Sequence, residues 1–317
     1  MLYAQGRLRK MWTKVDDILA ERYYHTSYDT NYVIRPGGAL TLKLKANQTG
    51  QSIHARRTAD GIETKASLRT NYKTTISVGA AYRGLSVSYS INPAKLGGSY
   101  KDDELNFNYY GSRLSLDASY LRASSMSGKI ERDGSTSRIE HGDATMKVLN
   151  VAGFYSFNHR HFSFSAAFNQ SYVQRRSAGS WLAGVSYQGG TIRTTGKLKL
   201  RNPEIPEVVI KAAHLGMGGG YGYNLVLGRR WLFHLSVLPT FVVYNRNRLT
   251  IDEDSRNAGP MRFNMLFNER AAVNYNISSR WFLGATIVMS NSLFDDRTVV
   301  FNQNKWFART FVGLRLL

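Results

Sequence analysis

The chain has 317 residues, no cysteine and a formal net charge of +20 at pH 7. Without cysteine, disulfide frameworks, thiolate metal sites and cysteine nucleophiles are excluded. The excess of 42 Lys+Arg over 22 Asp+Glu favours an anionic partner, but the basic residues form only short scattered clusters rather than the long stripe of a nucleic-acid-binding protein, so no nucleic-acid partner is expected.

The first residues resemble the end of a cleaved leader. Leu2-Tyr3-Ala4-Gln5-Gly6 lacks the charged and apolar regions of a complete signal peptide. Met1 is therefore interpreted as an artificial or misassigned start on a nearly mature chain. An ordinary cytosolic start is the alternative hypothesis.

An amphipathic helix of about four turns is predicted next. Its apolar residues recur at spacings of three and four, which places them on one face: Leu8, Met11, Trp12, Val15, Ile18 and Leu19. We interpret this face as a docking face that packs against, or plugs, the base of the following domain. The helix and the extended segment after it, which ends at Pro36 and Gly37, make up residues 1–37.

From residue 38 to residue 317 the apolar pattern has a period of two. Apolar residues alternate with small or polar ones in many segments, among them 40–45, 76–82, 85–91, 114–120, 162–168 and 273–278. A repeat of two is typical of strands. The small polar set would not form a soluble core but suits a wet lumen, so this region is predicted to be an all-β, antiparallel transmembrane β-barrel.

Two kinds of connection are predicted between the strands. Short turns lie at 83–84, 111–112, 158–161, 228–230 and 278–280, and long polar connections lie at about 48–62, 93–103, 124–142, 201–210, 247–260 and 291–297. An aromatic residue follows three of the short turns directly: Phe162, Trp231 and Trp281. Aromatic residues beside polar turns are typical of the girdle at a membrane interface.

The alternation of short and long connections predicts about 14 strands. It requires a hairpin within residues 180–200 that turns near Gly189 and Gly190. About 12 strands is the alternative, because segments 103–110 and 191–200 have the weakest strand pattern. An even number places both chain ends on the periplasmic side of a bacterial outer membrane.

Three charged or polar residues are predicted to face the lumen. Arg309 and Arg315 share one face of the last strand, about residues 298–317. Arginine is costly on a lipid face at mid-depth, so the lumen is the favoured side. His234 lies within the alternation of an earlier strand and is predicted to be lumenal as well.

Five short motifs stand out along most of the chain: Tyr28-Asp29-Thr30-Asn31-Tyr32, Tyr82-Arg83-Gly84-Leu85, Asn92-Pro93, Asn106-Phe107-Asn108-Tyr109-Tyr110-Gly111 and Ser177-Ala178-Gly179-Ser180. Together they resemble a Bacteroidetes outer-membrane barrel family of unknown function. The resemblance implies a compartment and an architecture, and it brings no catalytic residues. The chain departs from the barrel pattern at its end, where Leu316-Leu317 stands in place of a closing aromatic.

The sequence shows no motif for catalysis or for a cofactor. None of the seven histidines lies in a nucleophile motif, so no enzyme is expected, a lipid-modifying site at the rim being the remote alternative. Two acidic runs, 102–104 and 252–254, are interpreted as solvated charge rather than as metal sites. The glycine-rich stretch 216–222 has strand spacing, which indicates bending of the strand or close approach of another group rather than phosphate binding.

Two functional hypotheses remain. The first is a structural or accessory subunit of an outer-membrane complex, with other outer-membrane proteins as partners. The second is a porin-like channel that favours small anionic solutes because of the basic excess. In either case the basic residues near the rims are expected to pair with the phosphates of outer-membrane lipid and lipopolysaccharide.

Overall fold

The computed structural model describes residues 26–59, 61–82, 85–93, 102–203, 205–252, 254–257, 263–296 and 299–316. The predicted amphipathic helix and its docking face lie outside these residues. Within the described ranges no helix is both long enough and apolar enough to cross a membrane.

Strands dominate the structure. They are β1 (Val33–Ile34), β2 (Leu40–Ala59), β3 (Ile62–Arg69), β4 (Lys73–Tyr82), β5 (Leu85–Ile91), β6 (Asp103–Tyr110), β7 (Leu114–Ala123), β8 (Ser127–Arg132), β9 (Ser135–Ile139), β10 (Ala144–Ser156), β11 (Val173–Gln174), β12 (Ala178–Thr194), β13 (Val208–Leu227), β14 (Trp231–Ile251), β15 (Asp254–Asn257), β16 (Phe263–Asn276), β17 (Trp281–Asp296) and β18 (Val299–Leu316). Two short helices are described as well, α1 (Phe164–Phe168) and α2 (Gly196–Arg201).

The long strands form one antiparallel sheet in the order β5-β4-β2-β18-β17-β16-β14-β13-β12-β10-β7-β6. β3 and β4 share one position, because the two halves of β2 pair with them in turn. The first and last long strands pair from Leu40–Leu316 to Arg57–Val299. Across the described residues the sheet therefore has twelve strand positions. This matches the alternative prediction of about 12 strands rather than the preferred 14.

The sheet curls until its two ends approach each other. Arg270 of β16 and Asp117 of β7 approach to 2.6 Å, although four strands lie between them in the sheet. Thr49 of β2 donates a hydrogen bond of 2.9 Å to Glu104 of β6, which is at the end of the sheet. The ladder order begins at β5 and ends at β6, and no ladder joins these two strands in the part of the chain that is described.

The β8–β9 hairpin bridges the two sides of this seam at one end of the barrel. It belongs to the connection between β7 and β10, yet β8 pairs with β3 from Thr64–Arg132 to Arg69–Ser127. Some of the predicted long connections therefore contain strands that extend beyond the barrel wall. For example, β2 and β3 continue as a hairpin to Ala59 and Ile62. Strands that leave the apolar region can continue in water, because their backbone groups remain paired.

The two faces of the strands meet different surroundings. On β14, Leu235 (63 %) and Phe241 (51 %) are exposed on the outside, whereas Ser236 (1 %) and Thr240 (0 %) are buried inside. Apolar surface left in water costs roughly 25 cal/mol per Å². An apolar outer face around a polar interior therefore matches a bilayer, and the fold is an antiparallel transmembrane β-barrel.

Two predicted strands are wrong, and they account for the difference between 14 and 12. Residues 162–168 form α1 and its approach rather than a strand. Gly189 and Gly190 lie inside the continuous strand β12, with no turn between them, and α2 follows at residue 196. The predicted long connection at 291–297 is also wrong, because the β17–β18 ladder continues as far as Asp296–Val299.

Candidate functional site in the barrel lumen

A folded insertion occupies the lumen beside the short turns. It comes from the connection between β10 and β12, and we call residues 158–176 together with residues 26–35 the lumenal plug. The aromatic side chains of its centre are buried: Phe162 (0 %), Phe164 (2 %) and Phe168 (5 %). The two parts of the plug are joined by the β1–β11 ladder, in which Val33 pairs with Gln174.

Local hydrogen bonds explain why this segment turns inward as a helix. Ser163 caps α1 by accepting a hydrogen bond from the backbone N–H of Ala166 (3.1 Å). At the other end of α1, Asn274 on the barrel wall donates to the Ala167 carbonyl (2.9 Å). The wall thus satisfies carbonyl groups that a short helix leaves without partners.

The Tyr28–Tyr32 motif holds the first part of the plug against the second. Ser163 donates a hydrogen bond to the Tyr28 hydroxyl (3.0 Å), and burial raises the pKa of Tyr28 to about 12. Asp29 lies 3.4 Å from His161, and the Asn31 backbone N–H that donates to it lowers the pKa of Asp29. The motif that supports the family resemblance is therefore part of the plug.

His234 lies where the plug meets the barrel wall. Its ring is 5.0 Å from the rings of Phe164 and Phe168. Its two nitrogens lie 2.7 Å from Asn224 Oδ1 and 2.9 Å from Ser236 Oγ. The residue faces inward but is 3 % exposed, so it supports the plug rather than lining open water.

A row of glycines lies on the inner face of β13, and Gly222 among them makes room for the plug. Gly216, Gly218, Gly220 and Gly222 alternate with outward-facing residues. A methyl group at Gly222 would lie 2.9 Å from Cζ of Phe162. The glycine stretch thus serves close packing, as its strand spacing predicts.

Replacing Gly222 with valine is expected to destabilise the protein by about 1–3 kcal/mol, because Phe162 cannot move away in a packed core. Urea unfolding in detergent, followed by tryptophan fluorescence, measures the change. The matched control is Gly153→Val, since a methyl group there would have its nearest neighbour at 3.9 Å. Equal losses for the two variants would contradict this account of the glycine row.

A second apolar cluster fills the opposite end of the lumen, and we call it the cap. It combines inward side chains of the wall with residues of the β7–β10 connection and α2: Ile53, Leu121, Ala123, Met126, Ile139, Ala144, Met146, Val148 and Leu198. Asp102 fixes the connection here by accepting hydrogen bonds from the backbone N–H groups of Ser124 (2.7 Å) and Ser125 (3.1 Å). This carboxylate has a structural role, and no group of three potential metal ligands occurs among the described residues.

A polar chamber of about 80 Å³ lies between the plug and the cap. Arg270 crosses it and donates from Nε (3.0 Å) and Nη2 (2.6 Å) to Asp117. Lys305 lies 3.5 Å from Glu104, which also accepts from Thr49. Arg270 and Asp117 were not predicted as site residues, although their position on the polar face of alternating strands places both in the lumen.

Four cations line the wall formed by β2 and β18, including two predicted lumenal residues. Arg309 donates to Asn47 (2.8 Å), and Arg315 donates to Asn276 (3.1 Å) and stacks over Phe282 at 4.3 Å. Lys43 donates to Gln170 of the plug at 3.2 Å and to the Asn169 carbonyl. Lys45 follows on the same face of β2.

The three predicted interface aromatics have different positions. Trp231 (42 %) and Trp281 (47 %) are exposed on the outside, each at the first position of a strand after a short turn. Phe162 is wrong as an interface residue, because it is completely buried in the plug. The polar turn before it leads into the lumen rather than into a new strand.

The chain matches the family described as "Domain of unknown function (DUF4421)" over residues 27–315. No curated protein matches it. Among solved structures, the translocator domain of the autotransporter NalP from Neisseria meningitidis is similar at 10 % identity, with a TM-score of 0.32 and coverage of 99 % of this chain and 98 % of that one.

Two further solved structures are similar at low scores. The outer membrane protease OmpT from Escherichia coli shares 6 % identity at a TM-score of 0.39, with 89 % and 98 % of the two chains covered. The toluene transporter TodX from P. putida shares 10 % identity at a TM-score of 0.27, with 89 % and 91 % covered. The barrel is established by the strand ladders of the chain itself, not by these weak likenesses.

Proposed function

Since the chain belongs to the DUF4421 family, whose function is unknown, we propose a role on the basis of the barrel and its contents. The protein is an integral barrel of the outer membrane and does not conduct ions at rest. The motif resemblance indicates that this membrane belongs to a member of the Bacteroidetes. The protein serves there as a structural or accessory subunit of a complex and performs no catalysis.

The filled lumen is the observation that supports this proposal. The plug closes one end through Phe162, Phe164 and Phe168, and the cap closes the other through Met126, Met146 and the rest of its apolar set. Among the described residues, the polar chamber lies between these two clusters. An open porin would instead need a continuous aqueous path.

The ends of the chain support the proposed orientation. β2 begins at Leu40, β18 ends at Leu316, and the two residues pair at the end of the barrel that also holds the short turns. Short turns lie on the periplasmic side of bacterial barrels, which supports assigning both termini to that side. The cap and the long connections then face the outside of the cell.

Exposed basic residues support lipid phosphates as partners. Arg56, Lys65 and Lys129 extend from the hairpins on the side of the long connections, where their side chains are exposed although each pairs with Glu63 or Glu131. Guanidinium and ammonium groups pair well with phosphate. Other outer-membrane proteins remain the proposed macromolecular partners, which isolation from native membranes in fixed stoichiometry would support.

The histidine contacts give the non-enzymatic proposal its support. His54 Nδ1 lies 3.2 Å from Ser67 Oγ, and His161 Nε2 lies 3.4 Å from Asp29. These two pairs lie on different elements and share no residue. A hydrolytic triad needs a hydroxyl, an imidazole and a carboxylate or amide in one chain of contacts.

His234 does join a hydroxyl and an amide, Ser236 Oγ at 2.9 Å and Asn224 Oδ1 at 2.7 Å. Its ring is only 3 % exposed and packs against Phe164 and Phe168, so no substrate is expected to reach this hydroxyl–imidazole–amide chain.

Planar-bilayer conductance tests the proposal. The wild-type protein is expected to show no conductance steps at any voltage, because both ends of its lumen are packed. Replacing residues 158–177 with a short turn should produce steps in a barrel whose circular dichroism spectrum is unchanged. Steps from the wild-type protein would contradict the closed state.

The same measurement tests a second candidate, an anion-selective pore. The cationic wall of Lys43, Lys45, Arg309 and Arg315 favours it, since none of the first three has a carboxylate within 4.0 Å among the described residues. A reversal potential that shows anion preference in the wild-type protein would establish this function instead.

A further inference from the structure

Two cationic side chains that line the polar chamber each have a buried nitrogen without a hydrogen-bond partner in the described part of the chain. Nη1 of Arg270 has no partner, although the other nitrogens of this guanidinium contact Asp117. Nζ of Lys305 is also without a hydrogen bond at its 3.5 Å separation from Glu104. Buried donors of this kind are costly unless something accepts from them.

Positive charge predominates on the chamber walls. Three cations line it, Arg270, Lys305 and Arg309, against the carboxylate of Asp117 and that of Glu104, which lies 3.5 Å from Lys305. The remaining polar lining includes amides and hydroxyls that can donate hydrogen bonds, among them Asn108, Asn150 and Ser186. This set of donors suits a compact oxyanion, because arginine and lysine with neutral donors are the groups that bind phosphate.

The size of the chamber agrees with that chemistry. Its volume of about 80 Å³ holds roughly five waters, or one tetrahedral oxyanion.

The chamber reaches the edge of the sheet at β6. Asn106 and Asn108 line it from β6, and both are exposed although they are on the inner face, because β6 is the last strand of the ladder. The outer face of the same strand carries Leu105 (72 %), Phe107 (58 %) and Tyr109 (55 %). A polar opening is therefore bordered by an apolar surface.

We propose that this chamber binds one phosphate-like oxyanion, which enters between β5 and β6. Two sources share this chemistry, inorganic phosphate from water and the phosphate headgroup of a lipid whose chains stay against β6. The inference rests on the barrel of the proposed function, but it does not depend on that barrel being closed to ions.

Titration calorimetry tests the site in two arms. In the first, sodium phosphate is added at constant ionic strength to protein in phosphate-free detergent. In the second, the protein is placed in phosphatidylcholine nanodiscs, and binding of added phosphatidic acid is measured. The variants are Lys305→Gln and Arg309→Gln, with Lys305→Arg to restore the charge and the exposed Lys211→Gln as matched control.

Binding is expected in at least one arm. Lys305→Gln should weaken it about tenfold, because a charge-assisted contact is lost, whereas Lys305→Arg and Lys211→Gln should stay near wild type. If only sodium phosphate binds, the free ion is the source. If only phosphatidic acid binds, the lipid headgroup is the source. If Lys305→Gln does not fold by circular dichroism, Arg309→Gln gives the same test.

The proposal is overturned if neither ligand binds, or if the chamber variants bind as tightly as Lys211→Gln. A wild-type barrel that conducts would contradict the proposed closed state and would leave this result untouched. The two failures are therefore distinguishable.

Discussion

Replacing Arg270 with methionine is expected to destabilise the folded barrel by about 3–5 kcal/mol, because the substitution leaves Asp117 buried without its counter-charge. The guanidinium is 1 % exposed and the carboxylate 13 %. Arg270 also stacks over Phe154 at 4.5 Å, so its removal costs packing as well. Urea unfolding in detergent, extrapolated to zero urea, gives the change in the free energy of unfolding.

Two comparisons make the Arg270 experiment specific. The double variant Arg270→Met with Asp117→Leu should recover much of the stability, since a buried pair can be exchanged for apolar side chains at little cost. Arg56→Gln removes a pair with Glu63 at 3.0 Å whose side chains are exposed, 59 % and 42 %, and should leave the midpoint unchanged. If Arg270→Met behaves like Arg56→Gln, the pair across the lumen does not hold the barrel.

The position of this pair shows why the strands of the barrel wall were easier to predict than the contacts inside the lumen. Period-two alternation assigns Arg270 and Asp117 to the polar side of their strands from local sequence alone. Their contact depends on the whole order of strands between β7 and β16. No local pattern encodes which residues meet across a lumen, so the chamber becomes visible only when the sheet is curled.

The plug illustrates a different limit. In residues 162–168, Phe alternates with Ser and Ala, which is the signal of a half-exposed strand. All five residues of α1 are buried, because the helix packs in the aromatic cluster against the barrel wall. Periodicity detects a difference in polarity between two faces of an element. It therefore cannot identify a short helix whose faces are all buried.

The twelve sheet positions match the alternative prediction rather than the preferred number of about 14, and the turns were more informative. Trp231 and Trp281 begin strands after short turns, as polar residues followed by an aromatic predict. Gly189 and Gly190 were predicted to turn, but their backbone is extended, since neither has a positive φ. A glycine pair in a strand can serve packing, and at Gly190 a methyl group would lie 2.4 Å from the Lys147 carbonyl oxygen.

Replacing Phe164 with alanine is expected to destabilise the protein by about 3–5 kcal/mol, because the ring is buried and the surrounding wall cannot collapse into the space. Its ring centroid lies 4.8 Å from that of Phe154, 5.0 Å from that of Phe162 and 5.0 Å from that of His234. The change in unfolding free energy is measured in urea, and conductance is measured on the same sample.

The control for Phe164 is Phe157→Ala, the same substitution in the same connection but at a side chain that is 59 % exposed. It should change the unfolding free energy by less than about 1 kcal/mol, as exposed positions do. Phe164→Leu should fall between the two, because it retains most of the buried volume. If Phe164→Ala lowers the unfolding free energy no more than Phe157→Ala does, the plug is not packed against the wall. A closed lumen would then have to be explained by something other than this aromatic cluster.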